Sequence, residues 1–300
     1  MYGRRNPAKQ EPPREPQAKQ RIFAAADASA AGLRPEREGL RAEIERTAML
    51  RPEITALDRN EIYTYLGLHG SDIKSVQMDS CEKKRMEDQI DFCEREVLAA
   101  ASPRAVYKII PVSSILISAN TQRVLSDVCS LKQSLPDGYD IILEGKDIAN
   151  LLDDCSEAIL MALTLGTGLE KRLMREEVTD MSNALIMDIC ASVAVDNAAD
   201  HLMTMLQEEL KESGRFLTNR YSPGYGDLPL SVQRPLIEYL DAPRQIGLTL
   251  TAANLMVPRK SITAILGISG HMKKKVLGGC ARCPLKPKCF YRARGTRCFL

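Results

Sequence analysis

The sequence predicts an α+β protein, with helices packed on a mixed or antiparallel sheet. Two observations carry this. Short β-branched runs at 106–112, 115–117, 246–250 and 262–268 interrupt longer stretches whose apolar residues recur every three or four positions. The order of the two kinds of segment is irregular, without the strand–helix–strand rhythm that builds a parallel sheet.

The elements follow in chain order. Residues 1–20 hold Pro7, Pro12, Pro13 and Pro16 among charged and amide side chains, a composition that buries no core. Residues 24–50 are rich in Ala, Glu and Arg. Residues 1–50 are therefore expected to form a disordered or loosely helical extension. Asp58 followed by Glu61 is a helix-start signal, and that helix carries Ile62, Tyr65 and Leu66 before Gly67 or Gly70. A second helix spans about 82–101, with Met86, Ile90, Cys93 and Val97 along one face and Pro103 beyond its end. The strand-like runs 106–112 and 115–117 come next, then a turn at Asp137-Gly138 leading into a further strand. From 146 to about 213 the pattern reads as helical. Ile148, Leu151, Leu152 and Cys155 make one face; Ala184, Met187, Ala191, Val195 and Ala198 make another, capped by Asp180 or Ser182. After Gly214, prolines and glycines recur around short strands. Residues 51–270 thus form the folded body and residues 271–300 a basic, Cys-rich tail.

Composition excludes several classes. The chain has 300 residues, 44% hydrophobic and 27% charged, which excludes a wholly disordered or collagen-like protein. Its apolar runs stay far below the ~20 residues of a membrane helix. The polar start, MYGRRNPAKQ, lacks the apolar segment of a signal peptide, and a cytoplasmic location is expected. The net charge of +2 is segregated: residues 1–50 carry +3, residues 271–300 carry +9 and residues 51–270 carry −10. An acidic body does not suit a grip on nucleic acid, which depends on clustered cations.

Nine cysteines are present. Cys81, Cys93, Cys129, Cys155 and Cys190 are scattered, the last two in stretches read as apolar helix. Cys280, Cys283, Cys289 and Cys298 crowd the tail with C-x2-C-x5-C-x8-C spacing. In a reducing compartment such a cluster reads as a metal site, either tetrahedral zinc or an iron–sulfur cluster. Lys286, Lys288, Arg292, Arg294 and Arg297 offset the thiolate charge, and Pro284 and Pro287 favour a loop around a metal.

Two segments invite a ligand reading. Leu165-Gly-Thr-Gly168 has two glycines of a dinucleotide fingerprint, but it lacks the third and follows a run read as helical. It is taken as a helix end and turn. The segment 220–230, RYSPGYGDLPL, is more distinctive. Arg220 can grip a carboxylate with two parallel bonds, Gly224 and Gly226 allow close backbone approach, and Tyr225 can stack on a flat ring. The loop suits a ligand with an aromatic ring and an amino-acid end.

At this loop the sequence resembles a family. R-x-x-x-G-Y, with 246–251 (IGLTLT) and 256–261 (MVPRKS), is similar to the activation domain of cobalamin-dependent methionine synthase, in its free-standing bacterial form. The resemblance runs from about 55 to 270 and includes 147–166 and the helix at 183–209. It implies binding of S-adenosylmethionine, with Arg220 on the methionine carboxylate and Ser222, Gly224 and Tyr225 along the ligand. It also implies an acid on the preceding long helix, matched by Asp196 and next by Asp200, each shorter than the family's Glu. The aromatic that follows the Pro-Ser segment in the family has no counterpart in 263–267, TAILG. The implied role is reductive remethylation of an oxidised cobalamin, using one electron and the sulfonium methyl group. No D-x-H-x-x-G corrinoid motif is present, so cobalamin is expected on a partner chain, a methionine synthase or other corrinoid protein. The chain would be at most a component of methionine synthase activity, with no catalytic residue of its own. Two other readings stay open: a metal-binding module that uses its tail for interaction, and a corrinoid-protein scaffold without nucleotide binding.

Overall fold

The computed structural model describes residues 46–67, 79–118, 141–273 and 286–288. In chain order its elements are β1 (Arg46–Leu50), α1 (Arg59–Tyr65), α2 (Ser80–Ala100), β2 (Arg104–Pro111), β3 (Ile115–Ser118), β4 (Ile141–Glu144), α3 (Lys146–Leu152) and β5 (Glu157–Thr164). They continue with α4 (Thr167–Thr179), α5 (Met181–Lys211), β6 (Phe216–Leu217), α6 (Gln233–Tyr239), α7 (Ala242–Ile246), β7 (Thr249–Leu250), β8 (Met256–Val257) and β9 (Ser261–Ser269). The protein is α+β, as its sequence predicts. The main sheet is antiparallel throughout, in the order β1-β2-β5-β9-β6. A parallel pair β3-β4 and an antiparallel pair β7-β8 flank it.

Helices cover both faces of this sheet. On one face, Ile90, Cys93 and Val97 of α2, Leu169 and Leu173 of α4 and the apolar side of α5 pack on Ile159, Met161 and Leu163. On the other, Ile148 and Leu151 of α3, Leu236 of α6, Ile246 of α7 and the β4 residues Ile141 and Leu143 pack on Ala158, Leu160 and Ala162. β5 is thus buried on both sides. That explains why the helical reading of 146–213 fails at 157–164. In EAILMALT every residue after Glu157 is buried. A strand covered on two faces shows neither the alternating nor the 3.6-residue period, so its apolar run does not separate strand from helix.

Two smaller departures have similar causes. Arg46–Leu50, placed by composition in a loosely helical extension, is an edge strand paired with β2. That long-range pairing is invisible to local composition. Cys155 lies beyond α3, in the turn that enters β5, with its thiol 3.5 Å from the Leu151 carbonyl.

The helix signals are otherwise obeyed. The Asp58 carboxylate accepts from the backbone N–H groups of Asn60 and Glu61 at the start of α1. Asp79 and Glu82 form a reciprocal capping box on α2, and Asp180 caps α5 through Ser182 and Asn183. Helix α5 has 31 residues. At about 1.5 Å per residue it spans roughly 46 Å. Ala184, Met187, Ala191, Val195 and Ala198 are all buried along it.

Burial also silences two thiols. It pushes Cys93 up to about 11 and Cys190 up to about 12, whereas Cys81 is exposed. Because the thiolate is the reacting form, a maleimide at neutral pH should label Cys81 quickly, and Cys93 and Cys190 only after unfolding. Peptide mass mapping reads this directly. Native-state labelling of Cys190 at the Cys81 rate would contradict the packing of α5 on the sheet.

Candidate functional site

The R-x-x-x-G-Y loop leaves the sheet edge after β6. Thr218 and Tyr221 tie it to β9: the Thr218 N–H donates to the Gly267 carbonyl at 2.9 Å, and Tyr221 and Ile265 exchange both backbone bonds at 2.9 Å. Between these anchors Arg220 turns toward the middle of α5. There Nη2 donates to Asp196 Oδ1 and Nη1 to Asp200 Oδ1, each at 2.8 Å. Nη1 also lies 3.5 Å from the Asp196 carbonyl oxygen. Asp196 and Asp200 stand one helical turn apart, so both carboxylates face the same guanidinium. Arg220 and Asp196 are largely covered, with side chains 24% and 34% exposed, while Asp200 is 70% exposed.

A third carboxylate, Glu61, is coupled to them electrostatically. Segment 51–58 runs beside α5, where the Asn197 side chain reaches the Ala56 carbonyl at 3.5 Å, and delivers α1. Burial raises the Glu61 carboxyl, and the charges of Asp196, Asp58 and Asp200 raise it further against the pull of Arg220. Burial likewise raises Asp196; Arg220 opposes this and Asp200 adds to it. Two acids therefore bond the guanidinium, and a third, Glu61, feels its charge. Such a cluster can receive a zwitterion, with its carboxylate on the Arg and its cationic centres beside the surplus acids.

Beyond Arg220 the chain makes a tight turn. Gly224 and Gly226 take positive φ, 91° and 54°. The Gly224 N–H donates to the Leu228 carbonyl, the Tyr225 N–H to Ser222 and the Leu228 N–H to Tyr225. The backbone amides of Gly224 and Tyr225 thus serve the turn itself. Ser222 is half-buried, Pro223 is buried and Tyr225 is 69% exposed.

The structure brings Arg220, Asp196 and Asp200 into direct contact and places Ser222, Gly224 and Tyr225 in the same loop. Sequence reading missed Glu61 as a neighbour of Arg220. It also missed Asp147, which meets the loop from α3. Asp58-to-Glu61 read only as a helix start, and no local signal marks either contact. The segment 263–267 lies within the buried strand β9, where the Thr263 hydroxyl is 3.4 Å from Gln233 Oε1. Gly166 joins β5 to α4 as its N-cap and Gly168 lies in the first turn of α4, so a strand and not a helix precedes them. The sheet there is antiparallel, unlike that of a dinucleotide fold.

Cys280, Cys283, Cys289 and Cys298 lie outside the described residues. Among the described residues no group of three or more His, Cys, Asp or Glu side chains is placed to hold a metal ion, and no helix is long and apolar enough to cross a membrane.

No protein-family model matches the chain, and no curated protein matches it in sequence. In structure it is similar to the MetH reactivation domain, crystallised bound to AdoHcy. The match covers 84% of this chain and 87% of that one, with a TM-score of 0.52 and 14% sequence identity. The likeness is one of fold: helices on a curled antiparallel sheet.

Proposed function

We propose that this chain binds S-adenosylmethionine and serves the reductive remethylation of cobalamin held on a partner, a methionine synthase or another corrinoid methyltransferase. One observation carries the reading. In a fold shared with a reactivation domain bound to AdoHcy, the R-x-x-x-G-Y loop sets Arg220 against Asp196 and Asp200 on the long helix. Arg220 takes the ligand's carboxylate. Asp196, Asp200 and Glu61 face its ammonium and sulfonium charges. Ser222, Gly224 and Tyr225 line the loop beside it. S-adenosylmethionine supplies the methyl group; the side chains of this chain bind and orient it. The test is a calorimetric titration of the purified protein with S-adenosylmethionine. Saturation near one site per chain supports the reading. No heat at millimolar ligand removes it.

That second outcome would favour a corrinoid-protein scaffold. The self-bonded amides of Gly224 and Tyr225, and the lack of an aromatic in 263–267, are the observations on its side.

The tail cysteines are proposed to hold zinc or an iron–sulfur cluster as a separate module, with the cluster a candidate source of the electron. Cys289→Ser should then lower bound metal in protein purified without oxygen, while the affinity for S-adenosylmethionine stays within about twofold, since the two sites share no residue. Simultaneous loss of both would show that they are coupled.

A further inference from the structure

The loop that carries Arg220 is held by a second segment, eighty residues earlier in the chain. The Asp227 carboxylate accepts the backbone N–H groups of Lys146 at 2.6 Å and Asp147 at 3.2 Å, the first two residues of α3. No side chain of α3 itself caps that helix, and its N-cap is Gly145. The loop therefore satisfies the helix, and the helix fixes the loop.

Tyr221 makes the second attachment. Its hydroxyl lies 3.1 Å from the Tyr225 carbonyl oxygen and 3.4 Å from Asp147 Oδ2. Its ring packs on the second core cluster, and its backbone is bridged to Ile265. Burial, with the charges of Asp147 and Asp227, pushes the phenol up to about 12, so the hydroxyl remains a donor at neutral pH. The fit leaves no spare room. A Cβ added at Gly226 would stand 2.1 Å from the Tyr221 hydroxyl and 2.8 Å from Asp147 Oδ2. One added at Gly145 would stand 2.6 Å from Asp227 Oδ1.

We infer that Tyr221, Asp227 and Asp147 are positioning residues that lock the R-x-x-x-G-Y loop onto the start of α3 and so set its affinity for ligand. None need touch the ligand. They act by removing the loop's alternative conformations before binding, which would otherwise be lost on binding at a cost in affinity. The inference rests on the S-adenosylmethionine reading for its ligand but not for its geometry.

Two measurements on the full chain test it together. Calorimetry with S-adenosylmethionine should show about tenfold weaker binding for Asp227→Ala and for Tyr221→Phe, with much of it regained in Asp227→Asn, which keeps an acceptor for the α3 amides. Asp180→Ala is the control. It removes a comparable cap from α5, away from the loop. It should lower the melting temperature by a similar amount without changing affinity. Hydrogen exchange should show the amides of Lys146, Asp147 and Leu228 exchanging at least tenfold faster in Asp227→Ala than in the wild type. Faster exchange with unchanged affinity would overturn the role in binding. Unchanged exchange would overturn the lock itself. If the wild type binds no S-adenosylmethionine, the ligand reading falls, and the lock stands or falls on the exchange rates alone.

Discussion

Replacing Arg220 by alanine should weaken S-adenosylmethionine binding by at least tenfold and destabilise the free protein as well. Hydrogen bonds to charged groups contribute about 1.5–3 kcal/mol each, and the guanidinium is the cation at the centre of this site. Without it, a ligand carboxylate meets Asp196, Asp200 and Glu61 with no counter-charge, so the loss exceeds that of one contact. Asp196 and Glu61 are already raised by burial, and removal of Arg220 takes away the charge that holds both down. Arg220→Lys keeps the charge but not the fork that spans two carboxylates, and it should fall between the two. Calorimetry gives the affinities and a thermal melt gives the stability. An unchanged dissociation constant in Arg220→Ala would mean that its pairing with Asp196 and Asp200 only braces the fold.

The largest effect on stability is expected in β5. Leu160 and Met161 are both fully buried, on opposite faces of the sheet and in separate clusters. Leu160→Ala and Met161→Ala should each cost about 2–5 kcal/mol, from lost transfer energy and the cavity left behind. Because the sheet separates the two cavities, the double variant should show the sum, with a coupling below about 0.5 kcal/mol. Urea unfolding of the four proteins closes the cycle. A coupling above about 1 kcal/mol would show that the two cores are not independent.

These two regions were not equally legible in the sequence. Arg220, Gly224 and Tyr225 stand out because one short loop concentrates a forked cation, two glycines and two tyrosines. Helices α1, α2 and α5 were legible because capping and apolar spacing are local. Leu160 and its neighbours were not, since a doubly covered strand carries no period. Edge strand β1 depends on pairing with residues some sixty positions away. The partners of the loop escaped for the same reason. Asp147 meets Tyr221 across 74 residues and Asp227 reaches Lys146 across 81. Nothing near Glu61 marks it as a neighbour of Arg220, because its own segment already explains it as part of a helix start.

The strand order has a consequence for synthesis on the ribosome. β5 lies between β2 and β9, yet β9 is the last strand of the sheet to be made, about a hundred residues after β5. Until Ser261–Ser269 has emerged from the exit tunnel, the nascent chain presents β5, apolar from Ala158 to Leu163, with one open edge. Such an edge is a template for pairing with another chain. The sheet therefore closes only once β9 has been made, and any product truncated before β9 leaves β5 with an unpaired edge.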